Sequence, residues 1–331
     1  LGVKTLGYFV VTTTIASLIG VVLAVIVNPG KGFVYKQTGT NVAAKALSFK
    51  EMAWQLVPTD FMQFISGGNM LFVIALALTL GVAFVALKRH ISFPMNELFE
   101  GFNEFMMILT HWVIVISPIG IFGLIAKLVI TTGTASFIPL IKYIAVVAVG
   151  LAIHAFIVLP FILKSVVKCS PVGVAKDVFT ALTTGFSTAS SAATLPVLME
   201  DTREKLKVPN KVASFVLPLG ITINMDGTGL FQSVAAIFIA QIYGVELSLV
   251  SYGVIVAFTI LASVGAAAIP SAGVITLAMI LTAIGVPIEG AAIIIGIDRV
   301  LDMMRTTVNL WGNTIASLVL TKWLGSSAYD H

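Results

Sequence analysis

The chain has 331 residues, of which 58% are hydrophobic and 10% are charged, and its formal net charge is +4. Soluble globular domains carry about 25% charged residues, so this composition excludes an ordinary soluble protein and indicates a polytopic membrane protein. The basic residues fall in loops between apolar runs, so the positive charge predicts no nucleic-acid partner. A single cysteine, Cys169, excludes a disulfide within the chain and a cysteine-clustered metal site.

Four apolar runs in the first half of the chain each have about the length of one membrane span, which needs about 20 residues. They cover residues 5–27, 70–87, 105–126 and 143–163. The chain starts at Leu1, directly before the first run, and we expect it to begin inside a longer protein. The first half is therefore predicted to contain four membrane-spanning helices.

Basic residues lie mainly on one side of this topology. Lysines and arginines occur at residues 88–89, 164–176 and 203–211, while the short connections at 131–136 and 287–290 have none. Since cytoplasmic loops of membrane proteins are enriched in Lys and Arg, these basic loops are predicted to be cytoplasmic. We therefore predict a multi-pass protein of the inner (plasma) membrane, in contact with membrane lipids.

Beyond residue 164 the apolar runs are interrupted by small and polar residues. Residues 178–199 contain no charged residue, but their middle part, 187–196, reads STASSAATLP. Small hydroxyl residues followed by proline favour a turn over the middle of a lipid-facing helix. We predict a helical hairpin at 171–206 whose tip lies in this stretch.

Two further interruptions follow. The run at 212–245 contains NMDGT at 224–228, which predicts a broken helix. The run at 247–288 is about twice the length of one span, and its centre, SVGAAAIPSAG, consists of small residues and a proline. Two half-length helices that meet inside the membrane fit this pattern, provided that protein or water satisfies the exposed backbone. Paired interrupted segments indicate an inverted-repeat transporter with its site near the midplane.

The stretch 298–309 places four charges inside the last apolar region. An ionisable side chain at membrane depth is costly unless it is paired or faces a wet cavity. On a helix, residues with i, i+3, i+4, i+7 spacing lie on one face, and this face contains Asp302, Arg305, Thr306 and Asn309. An anion, a cation, a hydroxyl and an amide on one face are able to bind a small zwitterion. The alternative is an ion pair that only neutralises itself.

Two groups of polar residues suggest a site for a cation. The oxygens of Asn224 and Asp226, together with unwound backbone carbonyls, suit a hard cation such as sodium; the alternative is a kink with a capping aspartate. The hydroxyls of Thr12 and Thr13 extend such a site if they face it, although threonine in membrane helices usually bonds its own backbone.

Ser190 and Ser191, at the first tip, offer hydroxyl and backbone N–H groups to a carboxylate, or else only form a tight turn. His111 and His154 lie in separate apolar runs, without a second ligand at metal spacing. We interpret both histidines as packed or interfacial side chains.

The four motifs together resemble the glutamate transporter family, the dicarboxylate/amino acid:cation symporters. They are SSAATLP at 190–196, NMDGT at 224–228, the small-residue tip at 265–273 and DMMRTTVN at 302–309. The resemblance covers about residues 1–324 and implies an all-α polytopic membrane protein. It further implies an inverted-repeat elevator transporter with two re-entrant helical hairpins and broken transmembrane helices. In that family the first apolar run looks like the third transmembrane helix, so two helices are expected to precede it.

The family fold also implies a homotrimer. A scaffold or trimerisation domain, residues 31–136, would hold the trimer together, while a transport domain, residues 1–30 and 137–331, would move across the membrane as a rigid body. The transport domain would contain the hairpin 171–206, the broken helix 212–245, the hairpin 247–288 and the polar helix 291–324.

The resemblance also assigns substrate-binding roles to individual residues. Arg305 matches the arginine that binds the side-chain carboxylate of the substrate, and Asp302, with Thr306 beside it, matches the aspartate that takes the α-ammonium group. The remaining matches are Asn309 and Ser191 for the α-carboxylate, Thr228 near the distal carboxylate, and Ile269 and Gly273 at the second tip, which closes over the substrate.

Three sodium sites are implied in the same way. The first site is matched by Asn224, Asp226, Thr12 and Thr13, and the second by backbone ligands at Ser263 and Thr222. Parts of the third site are matched by Gly220, Asn224 and Asn309.

Two positions depart from the sodium-driven pattern of the family. Asn313 stands where sodium-driven members carry an aspartate that completes the third site, and Phe9 replaces a tyrosine near the first site. An amide coordinates sodium without cancelling its charge, so we expect a proton to be able to replace one sodium ion.

The sequence therefore predicts a secondary active symporter, not an enzyme, that takes up L-glutamate or L-aspartate with protons, sodium ions or both. No cofactor is expected apart from sodium as a coupling ion. Alternatives of the same family are a carrier for C4-dicarboxylates, against which Asp302 argues, or for neutral amino acids, against which Arg305 argues. A membrane-embedded hydrolase would need a nucleophile with a general base, and a pore would need a ring of like charges or carbonyls.

Overall fold

The computed structural model describes residues 1–33, 70–87, 89–132, 137–265 and 271–325. All regular elements in these ranges are helices, which confirms the predicted all-α class. Ile269, predicted at the second tip, lies outside the described residues. In chain order the helices are α1 (Gly2–Val27), α2 (Met70–Val85), α3 (Arg89–Thr132), α4 (Phe137–Ile153), α5 (Leu159–Val166), α6 (Pro171–Asp177), α7 (Phe179–Thr188), α8 (Ser191–Glu204), α9 (Asn210–Ile223), α10 (Asp226–Ile242), α11 (Leu249–Gly265), α12 (Ala272–Ala283), α13 (Ala291–Ile295) and α14 (Asp298–Trp323).

The chain divides into two compact units. The first comprises Leu1–Ala46 and Thr134–His331, and the second comprises Leu47–Gly133. The domains predicted from the sequence differ from these units by assigning residues 31–46 and 134–136 to the scaffold. The roles of scaffold and transport domain stay predictions.

In the second unit, α3 is much longer than the apolar run that predicted it. The run covers residues 105–126, whereas the helix has 44 residues, Arg89–Thr132. The additional N-terminal turns mix polar with apolar residues, and Asn96 Nδ2 there donates to Glu100 Oε1, one turn later, at 2.5 Å. A change from apolar to charged residues ends a hydrophobic run but not a helix, because glutamate has a good helix propensity.

In the first unit, the broken helix α9–α10 forms the interior. Three stretches of the described residues are long and apolar enough to cross a membrane, Gly2–Val27, Phe137–Val166 and Asn210–Ile242. In the most apolar part of each stretch, 39% of the residues are buried for the first two, against 94% for Asn210–Ile242. The break between α9 and α10 is therefore surrounded by protein, which can satisfy the free backbone groups that lipid cannot.

The first hairpin turns within two residues. α7 ends at Thr188, Ala189 adopts a left-handed conformation with φ 52°, and Ser190 caps α8 by accepting a hydrogen bond from Ala193 N. The second helix of the hairpin therefore begins before Pro196. The sequence suggested that this proline ends the turn, but it lies inside α8.

The polar helix predicted at 291–324 is two helices, α13 and α14, separated at Gly296 and Ile297. Glycine has a low helix propensity, and the interruption allows α14 to start at Asp298, with its first carboxylate inside the unit. α14 packs against α7, α9 and α10, so its polar face points into the centre of the unit.

Candidate functional site

The polar face of α14 is buried. Asp302 is 6% exposed, Arg305 1%, Thr306 5% and Asn309 4%. A buried face with one cation, one anion, a hydroxyl and an amide is expensive to maintain unless each group has a partner. The partners of these groups therefore define what the site can bind.

Arg305 is held by two carboxylates. Its Nη1 donates to Asp298 Oδ1 at 2.7 Å, and its Nη2 donates to Asp302 Oδ1 at 2.6 Å and to Asp298 Oδ2 at 3.4 Å. The ring of Phe231, on α10, lies beneath the guanidinium, with its centroid 3.8 Å from Cζ. Charge-assisted hydrogen bonds and the aromatic face together fix the plane of the guanidinium.

Asp302 also connects α14 to the second hairpin. Its Oδ2 accepts a hydrogen bond from Ser271 N, directly before α12, at 2.8 Å. Nearby, the carbonyl of Gly273 accepts from Gln232 Nε2 at 3.0 Å, so the start of α12 is attached to α10 as well. The hairpin that the resemblance places over the substrate is thus bonded to two residues of the polar interior.

Asn309 connects α14 to the start of α10. Its Oδ1 accepts from Gly227 N at 2.8 Å, and its Nδ2 donates to Thr228 Oγ1 at 3.2 Å. A Cβ at Gly227 would lie 2.9 Å from the backbone oxygen of Arg305, so this close approach requires glycine. Asn309 thereby satisfies an N–H group that the break in the helix leaves without an intrahelical partner.

A second polar cluster surrounds Asp226, the first residue of α10. Asp226 Oδ1 accepts from Thr13 Oγ1 at 2.8 Å and from Thr12 Oγ1 at 3.1 Å. Asn224 Oδ1 lies 3.2 Å from Thr12 Oγ1, and Asn224 Nδ2 donates to Asn313 Oδ1 at 2.9 Å. All five side chains are at most 1% exposed.

The chemistry of this cluster suits a hard monovalent cation. Its ligand atoms are one carboxylate, amide oxygens and hydroxyls, which are the oxygen ligands that such cations prefer. Within the described ranges no group of three or more His, Cys, Asp or Glu residues lies together. The residues present therefore fit sodium better than a transition metal.

The other residues singled out by sequence lie around these two clusters. Ser190 and Ser191 are buried at the first tip, with Ser190 Oγ used as the cap of α8. Ser263 Oγ donates to Ile260 O at 2.7 Å, and the exposed Thr222 donates to Leu219 O at 2.8 Å. Both hydroxyls therefore donate within their own helices. Gly220 lies directly against Asn313 Oδ1.

Two residues of the site, Asp298 and Phe231, were not singled out by the sequence, and a third, His154, was interpreted only as a packed or interfacial side chain. Asp298 lies seven residues before Arg305 on the same helical face, a spacing that could have identified it. Phe231 gives no such signal. His154 is buried as predicted, but its Nε2 lies 3.1 Å from Asp226 Oδ2, a contact across 72 positions that the sequence does not predict.

His154 begins a local irregularity of the backbone. His154–Val158 forms a π-helical turn between α4 and α5. The indole Nε1 of Trp311, on α14, donates to Ala155 O in this turn at 3.1 Å. Because π turns change which way the following side chains point, single π turns often occur at functional sites.

Comparisons with known proteins identify the family of this chain. The sequence matches the family described as sodium:dicarboxylate symporter family over residues 1–323. It is 35% identical to the proton/glutamate-aspartate symporter of Escherichia coli (strain K12), over 98% of this chain and 76% of the relative. It is 35% identical to the proton/sodium-glutamate symport protein of Bacillus subtilis (strain 168), over 98% and 77%, and 33% identical to an excitatory amino acid transporter of Caenorhabditis elegans, over 96% and 72%. The chain therefore belongs to the sodium:dicarboxylate symporter family, whose members are membrane transporters and not enzymes.

Proposed function

We propose that this chain is a multi-pass plasma-membrane symporter that takes up L-glutamate or L-aspartate together with protons, sodium ions or both. The observation that carries this proposal is Arg305, a buried guanidinium with an open donor. Its Nε has no hydrogen-bond partner among the described residues. A cation of this kind beside the carboxylate of Asp302 suits a ligand that has both a carboxylate and an ammonium group. The relatives named for glutamate, aspartate, protons and sodium support the same substrate class.

In this proposal, Arg305 binds the side-chain carboxylate of the substrate and Asp302 binds its ammonium group. Asn309, already bonded to the start of α10, binds the α-carboxylate. The further substrate contacts are proposed for Ser190, Ser191, Thr228, Thr306, Gly273 and Ile269.

The coupling cations are proposed to bind next to the substrate. Asp226, Asn224, Thr12 and Thr13 supply one oxygen-lined site, and the carbonyls of Ser263 and Thr222 contribute to a second. A third site would use Gly220, Asn224, Asn309 and Asn313. Since Asn313 is neutral, sodium at this third site gains less electrostatic stabilisation than it would from an aspartate, and a proton elsewhere can take its place.

The transport cycle is proposed to follow the elevator mechanism of the family in a homotrimer. Residues 31–136 would serve as the scaffold in contact with lipids and partner subunits. In the second unit, exposed apolar side chains on α3 such as Val115, Ile119 and Phe122 suit contact with lipid or with another subunit. The first unit, which contains both polar clusters, would be the part that moves.

A second candidate within the family is a carrier for C4-dicarboxylates or neutral amino acids. A dicarboxylate without an amine would leave Asp302 without its ammonium partner, and a neutral side chain would leave Arg305 without a carboxylate. A buried charge without a partner is costly, so both alternatives fit the two residues less well than an acidic amino acid does.

Uptake into proteoliposomes tests the proposal directly. The purified protein is reconstituted, and labelled L-aspartate uptake is followed under an inward sodium gradient, an inward proton gradient, or both. We expect uptake that unlabelled L-glutamate inhibits and that succinate and L-serine inhibit far less. Absence of uptake under every gradient, or inhibition by succinate at lower concentration than by glutamate, would refute the proposal.

A further inference from the structure

The two carboxylates that hold Arg305 differ in what else they bind. Both oxygens of Asp298 face the guanidinium, at 2.7 Å from Nη1 and 3.4 Å from Nη2. Asp302 divides its oxygens between Arg305 Nη2, at 2.6 Å, and Ser271 N at the second hairpin, at 2.8 Å. Asp298 thus binds Arg305 with both oxygens, while Asp302 binds Arg305 with one oxygen and Ser271 N with the other.

This difference matters when an amino acid enters. In the proposed function, the ammonium group of the substrate takes Asp302 as its counter-charge, and Asp302 Oδ1 is the oxygen that now contacts Arg305. If Asp302 alone oriented the arginine, the guanidinium would lose its orientation at the moment when it must bind the substrate's carboxylate. Asp298 and the ring of Phe231, 3.8 Å from Cζ, are contacts that do not have to change.

The charges of the three side chains also distinguish Asp298 from Asp302. An arginine neutralised by one aspartate leaves the second aspartate available for one ammonium group. The guanidinium still has its Nε–H, which has no hydrogen-bond partner among the described residues. A carboxylate that bonds to this donor would leave the bonds to Asp298 intact.

We propose that Asp298 is a positioning residue, which holds the Arg305 guanidinium in place while Asp302 exchanges this arginine for the ammonium group of the substrate. The proposal rests on the proposed function and deepens it, since it makes the preference for an acidic side chain depend on a residue that does not touch the substrate. Asp298 sets the orientation of Arg305, and Asp302 recognises the amino acid.

The first test compares two ligands that differ only in the side-chain charge, L-aspartate and L-asparagine. In the Asp298→Asn variant the volume is kept but the charge-assisted pair with Arg305 is lost, so we expect the dissociation constant of L-aspartate to rise by about 10- to 100-fold. The inhibition constant of L-asparagine should change much less, so the ratio between the two ligands falls. Asp302→Asn should weaken both ligands, because both carry the ammonium group. Glu246→Gln, at an exposed carboxylate outside the site, is the matched control.

The second test measures the link between Asp298 and Arg305 without any ligand. By itself, Asp298→Asn should lower the midpoint of thermal unfolding, because it removes one partner of a buried charge pair. In an Arg305→Ala background the same change should raise the midpoint, because it removes a buried carboxylate that has no counter-charge. A reversal of sign is a result that a general packing role for Asp298 does not produce.

The outcomes separate this proposal from the proposed function. If the wild-type protein binds neither L-aspartate nor L-glutamate, the proposed function fails, and the unfolding comparison still decides whether Asp298 acts on Arg305. If the wild-type protein binds L-aspartate but Asp298→Asn weakens both ligands equally, the function stands and the positioning role is overturned. Equal destabilisation by Asp298→Asn with and without Arg305 overturns it as well.

Discussion

Replacement of Asn313 by aspartate is expected to make the stability of the protein depend strongly on sodium. Asn313 is 0% exposed, and its Oδ1 accepts from Asn224 Nδ2 at 2.9 Å. Its Nδ2 has no hydrogen-bond partner among the described residues. Aspartate has nearly the same shape, so the bond to Asn224 can remain. The change replaces an unpaired donor by a negative oxygen in the same polar cluster as Asp226.

The magnitude follows from burial. A buried charge without a partner costs about 3–5 kcal/mol, so the free energy of unfolding should fall by about this amount in a medium without sodium. A cation that binds only the folded state returns about 2.7 kcal/mol when its concentration is about 100 times its dissociation constant. Sodium should therefore recover about half or more of the loss in Asn313→Asp and should stabilise the wild type less.

The assay is thermal unfolding in sodium chloride and in choline chloride at equal ionic strength. Asn210→Asp adds the same charge at an exposed position and is the control. A carboxyl group that takes up a proton would escape the penalty at acidic pH, so the comparison is repeated at several pH values. If Asn313→Asp is as stable as the wild type in choline at neutral pH, or if sodium stabilises both proteins equally, the reasoning is wrong.

Three further substitutions probe the same interior. Arg305→Ala should weaken L-aspartate binding by about 2–5 kcal/mol and make L-alanine or L-serine effective competitors; a variant that still prefers aspartate with native affinity would contradict the role of Arg305. Asp302→Asn should weaken amino acids far more than succinate, measured by competition, since only amino acids carry an ammonium group; equal losses would make Asp302 a structural partner of Arg305. His154→Phe should lower sodium affinity by about tenfold in a sodium titration of unfolding, while His154→Gln, which can still donate to Asp226, should change it much less. Equal effects of the two His154 variants would indicate a packing role.

The sequence predicts the helices of this fold wherever a change in hydrophobicity coincides with a change in backbone geometry. This holds at NMDGT, where α9 ends at Ile223 and α10 begins at Asp226, and at the first tip, where α7 gives way to α8. It fails for α3, because the polar residues before residue 105 continue the helix. It also fails at Gly296, where a single glycine in an apolar stretch gives too weak a signal to predict the separation of α13 from α14.

Some contacts of the candidate site can likewise be predicted from the sequence, and others cannot. The 3.6-residue period is sufficient to group Asp302, Arg305 and Asn309, and the same period extends to Asp298. No period relates His154 to Asp226 or Ser271 to Asp302, because these contacts depend on how helices pack and on one π turn. Contacts between residues distant in sequence are set by tertiary packing, which a single sequence does not reveal.

The buried charges of the first unit explain why the substrate should travel with cations. In the two polar clusters, Arg305 is accompanied by three buried aspartates, Asp226, Asp298 and Asp302, so carboxylates outnumber the guanidinium there. An acidic amino acid adds a further negative charge, and carrying that excess through a medium of low dielectric constant is costly. Each sodium ion or proton bound beside the substrate reduces the excess by one. A neutral residue at position 313 leaves one less charge to compensate than an aspartate would, so we expect this chain to couple one fewer cation than a carrier with aspartate at that position.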